Sequence, residues 1–188
     1  MVGNDLVDLQ LAGSQSNWQR PGYLQKICSE EEQHMIIMAP EPTTMLWLLW
    51  SMKESAYKVL NRNTGKREYN PSGLVCSELK VNQSEATGNV SYGDNVFFVK
   101  TEISDQRIYS VAAHTVIAVE GLTSYHMHNT AGYMDKFAMA RPGYILKKEI
   151  SGLPVVVELQ TGRNLAASVS HHGRYLAVTY SDSLRLTD

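Results

Sequence analysis

Residues 50–58 read WSMKESAYK, and Trp50, Glu54 and Lys58 stand four apart there, on one line of a helix, with Lys53 beside them. A carboxylate so placed could hold a hard cation, and a lysine could meet a phosphate. The same spacing describes a solvated Glu-to-Lys pair worth roughly 0.2–0.5 kcal/mol. The stretch alone leaves both readings open. Asp5 and Asp8, in MVGNDLVDLQ, offer two more carboxylates near the start of the chain. Exposed turn residues would look the same. Near the other end, SVSHHGRY places Ser168, Ser170, His171, His172 and Arg174 around Gly173. Small residues, imidazole and guanidinium suit an anion, and an ordinary hairpin turn explains them as well. His126 and His128 have no cysteine or carboxylate partners at zinc spacing and are not read as a metal site.

These residues need elements to carry them. Val2, Leu6, Val7 and Leu9 alternate with Asn4, Asp5 and Asp8, which predicts a short strand ending in a turn. Ser29 with Glu32 three residues on predicts a capping box at a helix start. After Pro40 and Pro42, the apolar run MLWLLW opens a helix expected over 43–60. From about 74 to 120 the chain is rich in β-branched and aromatic residues with Gly-Asp and Ser-Asp turns, predicting a small antiparallel sheet. A short helix is expected near 130–140, a hairpin turning at Ser151-Gly152, and two strands flanking His171–Arg174. The fold class is therefore α+β, an antiparallel sheet packed against a long helix. It is read as one domain over 1–188 with an unassigned β-rich insertion around 61–145.

Composition narrows the function classes. The chain has 188 residues, 43% hydrophobic and 19% charged, as expected of a globular protein. A formal net charge of −2 gives no general attraction to nucleic acid or an anionic membrane. No apolar run approaches the ~20 residues that span a bilayer. The N-terminus has no basic region ahead of an apolar one, which reads as no signal peptide. Cys28 and Cys76 have no metal or redox spacing, and reduced thiols in a cytoplasmic protein are expected.

Taken together the pieces resemble the 4'-phosphopantetheinyl transferases. VGNDLVDL is similar to the family's Gly-x-Asp-x-x-Glu strand, WSMKESAYK to its Trp-x-x-Lys-Glu-x-x-x-Lys helix, and SVSHHGRYLAV to its Ser-x-Ser-His strand. CSEEE resembles the Thr/Ser-x-x-Glu helix start that often lies between. The order, acidic strand first and histidine strand last, is that of the compact acyl-carrier-protein-synthase type. The resemblance covers about 1–60 and 147–180.

It implies the family's fold and a magnesium-dependent transfer of the phosphopantetheine arm of coenzyme A to a serine of an apo acyl or peptidyl carrier protein. That is holo-acyl-carrier-protein synthase activity, as in fatty acid biosynthesis, and it releases 3',5'-ADP. Carried over by motif position, Asp5 and Glu54 are the metal ligands and Glu54 and Lys58 the catalytic pair. His171, Ser170, Lys58 and Lys53 would contact coenzyme A. Two departures stand out. Asp8 occupies the position of the usual Glu, and Val7 that of a third carboxylate found in the larger surfactin-type enzymes. His172 is expected to be exposed. A basic surface for an acidic carrier is expected from Arg20, Lys26, Arg62, Lys66 and Arg67. The compact type forms trimers with shared sites, so a homo-oligomer is implied, unless residues 61–145 supply what a neighbour supplies there. Two other readings fit parts of the pattern. One is a catalytically silent module that binds coenzyme A or a carrier. The other is a magnesium-dependent phosphotransfer or hydrolytic enzyme that needs the carboxylates but not Ser168–His171.

Overall fold

The computed structural model describes residues 1–65 and 68–181. Its first strand, β1 (Gly3–Asp8), runs directly into α1 (Leu9–Gln15), and α2 (Tyr23–Ile27) and α3 (Glu30–Met38) follow. The expected turn after β1 is a helix, because the Asp8 carboxylate caps it by accepting from the Leu11 N–H. The capping box forms at α3: the Ser29 hydroxyl accepts from the Glu32 N–H, and the Glu32 carboxylate accepts from the Ser29 N–H.

The long helix α4 (Pro42–Thr64) has proline in its first turn and Gly65 just beyond its end. Gly65 takes a left-handed conformation (φ 69°) that glycine adopts without a Cβ penalty. Leu46, Leu48, Leu49, Met52, Ala56 and Val59 bury one broad face of α4. That face packs on a five-stranded sheet of order β1-β5-β4-β3-β2, with β2 (Val75–Val81), β3 (Glu85–Tyr92), β4 (Asn95–Ile103) and β5 (Arg107–Ala113). Every pairing is antiparallel, and β1 runs against β5 with Asp5 opposite Ser110.

A second five-stranded antiparallel sheet follows α5 (Val116–Glu120). Its members are β6 (Leu122–His128), β7 (Tyr144–Lys148), β8 (Pro154–Glu158), β9 (Asn164–His172) and β10 (Tyr175–Ser181), with α6 (Tyr133–Ala140) between β6 and β7. Its order is β6-β10-β9-β8-β7. The two halves thus share one sheet topology: a strand, a helical stretch (α1 to α4 in the first, α6 in the second) and four strands, the last returning beside the first. The chain therefore holds two sheets, the first covered by α4 and the second by α6 with Phe137 in its core.

The halves meet along β1. The Asn4 N–H donates to Ser168 Oγ at 3.0 Å, and Asn4 Nδ2 donates to the Ala177 carbonyl at 3.3 Å. Leu6, Tyr109 and Ala177 form a small apolar cluster at the junction. From α4, the Arg62 guanidinium donates to the carbonyls of Pro154, at 2.9 Å, and Ala167.

Candidate active site

Gly3 governs how near β1 can come to α4. A Cβ on Gly3 would lie 2.0 Å from the Ser55 carbonyl oxygen, so only glycine permits this approach. Two residues further on, Asp5 reaches the neighbourhood of the next turn of α4. There Lys58 Nζ donates to the Asn4 carbonyl at 2.7 Å and lies 3.4 Å from Asp5 Oδ1. Both side chains stay partly open to water, at 29% for Lys58 and 14% for Asp5.

A cleft of about 290 Å³ opens at this crossing. Asp5 and Val7 of β1, Trp47, Trp50 and Glu54 of α4, and His171 and His172 at the end of β9 line it. Gln15 and Ser16, at the end of α1, close it on another side. Three residues singled out in the sequence, Asp5, Glu54 and His171, therefore share one cavity, with Lys58 against Asp5.

The cleft is electrostatically uneven. Burial, and then the charge of Asp5, push the Glu54 carboxyl up to about 7. Lys58 and the Tyr69 hydroxyl act in the opposite direction. Tyr69 is held by edge-on contacts with Trp50, at 5.6 Å between ring centroids, and with Tyr57, at 4.9 Å. Nothing in the sequence marks Tyr69, which sits in the loop after α4. Its partners Trp50 and Tyr57 do flank Glu54 on one helical stripe.

Lys53 corrects the expectation of a coenzyme A contact. Its side chain is 1% exposed, and its ammonium lies 2.6 Å from Glu32 Oε2. It also donates to the carbonyls of Ile27 (2.8 Å) and Pro71 (2.9 Å), which satisfies all three of its N–H bonds. Glu32 accepts in turn from the Ser29 and Cys76 N–H groups. Lys53 thus ties α4 to α3 and to the loop before β2. Lys53→Met leaves the Glu32 charge buried and is expected to cost about 3–5 kcal/mol of stability. Urea denaturation measures this, and coenzyme A affinity of the folded variant is expected to hold.

Strand alternation explains two more differences. Ser168, Ser170 and His172 share the face of β9 turned toward β1, and His171 lies on the other. Ser170 is buried, and it is not among the residues that line the cleft. His172 is half-buried rather than exposed, its Nδ1 accepting the Asp8 N–H at 2.9 Å. Asp8 is buried and ion-paired to Arg174 at 2.9 Å, and it does not line the cleft. Of the basic residues expected to meet a carrier, Arg20 and Lys26 are exposed on and beside α2, and Arg62 is spent on backbone carbonyls. Lys66 and Arg67 lie outside the described residues. His126 packs edge-on against Tyr109 at 4.4 Å, and burial followed by the charge of Arg107 pushes it down to about 4. It is a half-buried packing imidazole.

Among the described residues, no group of three or more His, Cys, Asp or Glu side chains is arranged to hold a metal. Nor is any helix among them long and apolar enough to cross a membrane.

Residues 1–112 match the family model of the 4'-phosphopantetheinyl transferase superfamily, and the chain belongs to that superfamily. Its α+β fold of two antiparallel sheets agrees with that membership. The class of chemistry is phosphopantetheine transfer to carrier proteins, with coenzyme A as donor. The match spans β1 to β5 and so includes residues 61–112, for which the sequence offered no family assignment. It ends before β9, the strand that brings His171 to the cleft. No curated protein matches the chain.

Proposed function

We propose that this protein is a magnesium-dependent transferase of the holo-acyl-carrier-protein synthase type, acting in the cytoplasm as a single domain. The observation that carries this reading is the shared cleft. Asp5 from β1, Glu54 from α4 and His171 from β9 line one cavity, although they lie far apart in the chain.

The donor set suits a hard cation. Two carboxylates face one cavity, and the charge of one raises the other's pKa, a repulsion that a divalent ion relieves. Magnesium typically takes one or two protein carboxylates and completes its shell with water and phosphate oxygens. Asp5 and Glu54 would hold it. Bound there, it would neutralise the diphosphate of coenzyme A and the charge that builds on the leaving phosphate.

The remaining work falls to the chain's own side chains. His171, exposed at the cleft mouth, binds a coenzyme A phosphate. Lys58 spends two N–H bonds on Asn4 and Asp5, and its third is the one a phosphate oxygen would accept. Glu54, facing the cleft beside Asp5, would serve as the general base. The carrier serine loses its proton to Glu54 while its Oγ bonds to the phosphorus that bears the pantetheine arm. The bridging P–O bond breaks, and its electron pair leaves with 3',5'-ADP. Trp47 and Trp50 supply apolar wall and keep water from the reacting atoms.

The test is intact-mass spectrometry of a panel of apo acyl and peptidyl carrier proteins incubated with coenzyme A, with and without magnesium. Gain of the phosphopantetheine arm by at least one carrier, only with magnesium present, is the expected result. Tight coenzyme A binding with no carrier modified would instead mark a silent binding module.

A further inference from the structure

Asp8 stands three residues after Asp5 on β1, and Arg174 three residues after His171, at the turn between β9 and β10. The two are joined at several points. Arg174 Nε donates to Asp8 Oδ2 and Nη2 donates to Oδ1, each at 2.9 Å. The Arg174 N–H also donates to Oδ2 at 3.1 Å. In return the Asp8 N–H donates to Nδ1 of His172 at 2.9 Å. Gly173 closes the turn with φ 53°, and a Cβ there would lie 2.4 Å from Asp8 Oδ2. Just after β6, Asn129 donates to the carbonyls of Gly173 (Nδ2, 3.1 Å) and Arg174 (N–H, 2.9 Å). Arg174 lies over the Tyr175 ring at 5.0 Å, which keeps the guanidinium plane in place.

We propose that Asp8 and Arg174 form a positioning pair that fixes the His171 turn of the second half against the strand of the first half that carries Asp5. Neither side chain lines the cleft. Both act through the residue three places earlier. A fork-shaped, two-point ion pair sets distance and angle together, which a single contact cannot do. The Asp8 carboxylate is 1% exposed, and Arg174 holds it well below the usual carboxylate range, so the pair stays charged.

This inference rests on the reading of His171 as a phosphate contact, and the experiment separates the two. Calorimetry measures coenzyme A affinity for the wild type, Arg174→Gln, Arg174→Lys, Asp8→Asn, His171→Ala and the double variant Arg174→Gln/His171→Ala. Asn keeps the cap on α1 while removing the charge. Arg174→Gln and Asp8→Asn are each expected to weaken coenzyme A binding about tenfold, the scale of one lost charge-assisted contact. Arg174→Lys recovers only part of this, since an ammonium cannot span both oxygens. Mn²⁺ affinity, read by electron paramagnetic resonance, is expected to hold in Arg174→Gln and Asp8→Asn, because Asp5 and Glu54 belong to the first half. In the His171→Ala background the Arg174→Gln effect should vanish. Wild-type affinity in folded Arg174→Gln and Asp8→Asn, with His171→Ala weakened, overturns the inference and leaves the role of His171 intact. Wild-type affinity in His171→Ala overturns both. A loss that adds in full to that of His171→Ala shows a general structural role and likewise overturns the inference.

Discussion

Glu54→Gln is expected to lower the transfer rate by roughly 10²–10⁴-fold, the range for loss of a general base, with metal affinity falling as well. The substitution keeps shape and helix propensity, so α4 is expected to stay intact. The pH dependence of stability separates this loss from misfolding. The folded carboxyl sits at about 7 against an ordinary value of 4.5, because burial and Asp5 disfavour its charged form. Between those two values the folded state binds the extra proton. Glu54 therefore favours the fold most below pH 4.5, and its contribution declines as pH rises to about 7 and stays lowered above. The neutral amide has no charge to bury. At pH 8, without metal, Glu54→Gln should melt no lower than the wild type by calorimetry, while the mass-spectrometric assay shows its activity gone. Activity within a few-fold of wild type would remove Glu54 from the chemistry.

Mixing Glu54→Gln with His171→Ala is expected to give no more activity than the sum of the two alone. Glu54 lies in the first half and His171 in the second, and both line a cleft built within one chain. Each chain of the mixture then keeps one defect in its own cleft. A protein that shares its site between subunits would behave differently, because some interfaces would combine a sound Glu54 with a sound His171. The measurement is a rate for the two variants co-purified after refolding together, so that subunits have every chance to exchange. A rate clearly above the sum would show that the working cleft lies between chains. The shared topology of the two halves makes the expected result intelligible: the second half brings β9 and its His171 to the cleft within the same chain.

Much of this was legible in the sequence, for local reasons. The four-residue spacing of Trp50, Glu54 and Lys58 and the apolar run before it determine α4, and the Ser29–Glu32 box determines where α3 begins. Turn residues at Gly93-Asp94 and Ser151-Gly152 mark hairpins found where expected. The failures have physical causes of two kinds. Lys53 faces inward because Glu32 waits there, and that partner is twenty-one residues away, visible only once α3 packs on α4. Asp8 and Arg174 are likewise joined across almost the whole chain. Ser170 and His172 are a different case. Period-two alternation from Ser168 already places all three on one face of β9, and of the doubled histidine, both of which border the cleft, His172 is the one held by β1. Four strands of the second sheet were expected as separate hairpins; what the sequence did not reveal is β6, whose pairing with β10 is non-local and joins them into one sheet.

The most direct measurement is a crystal structure with coenzyme A and Mn²⁺, using anomalous scattering to locate the ion. The account predicts one anomalous peak coordinated by Asp5 and Glu54, with the diphosphate beside it and the His171 imidazole against a coenzyme A phosphate. A peak touched by neither carboxylate, or coenzyme A seated in another cavity, would contradict it.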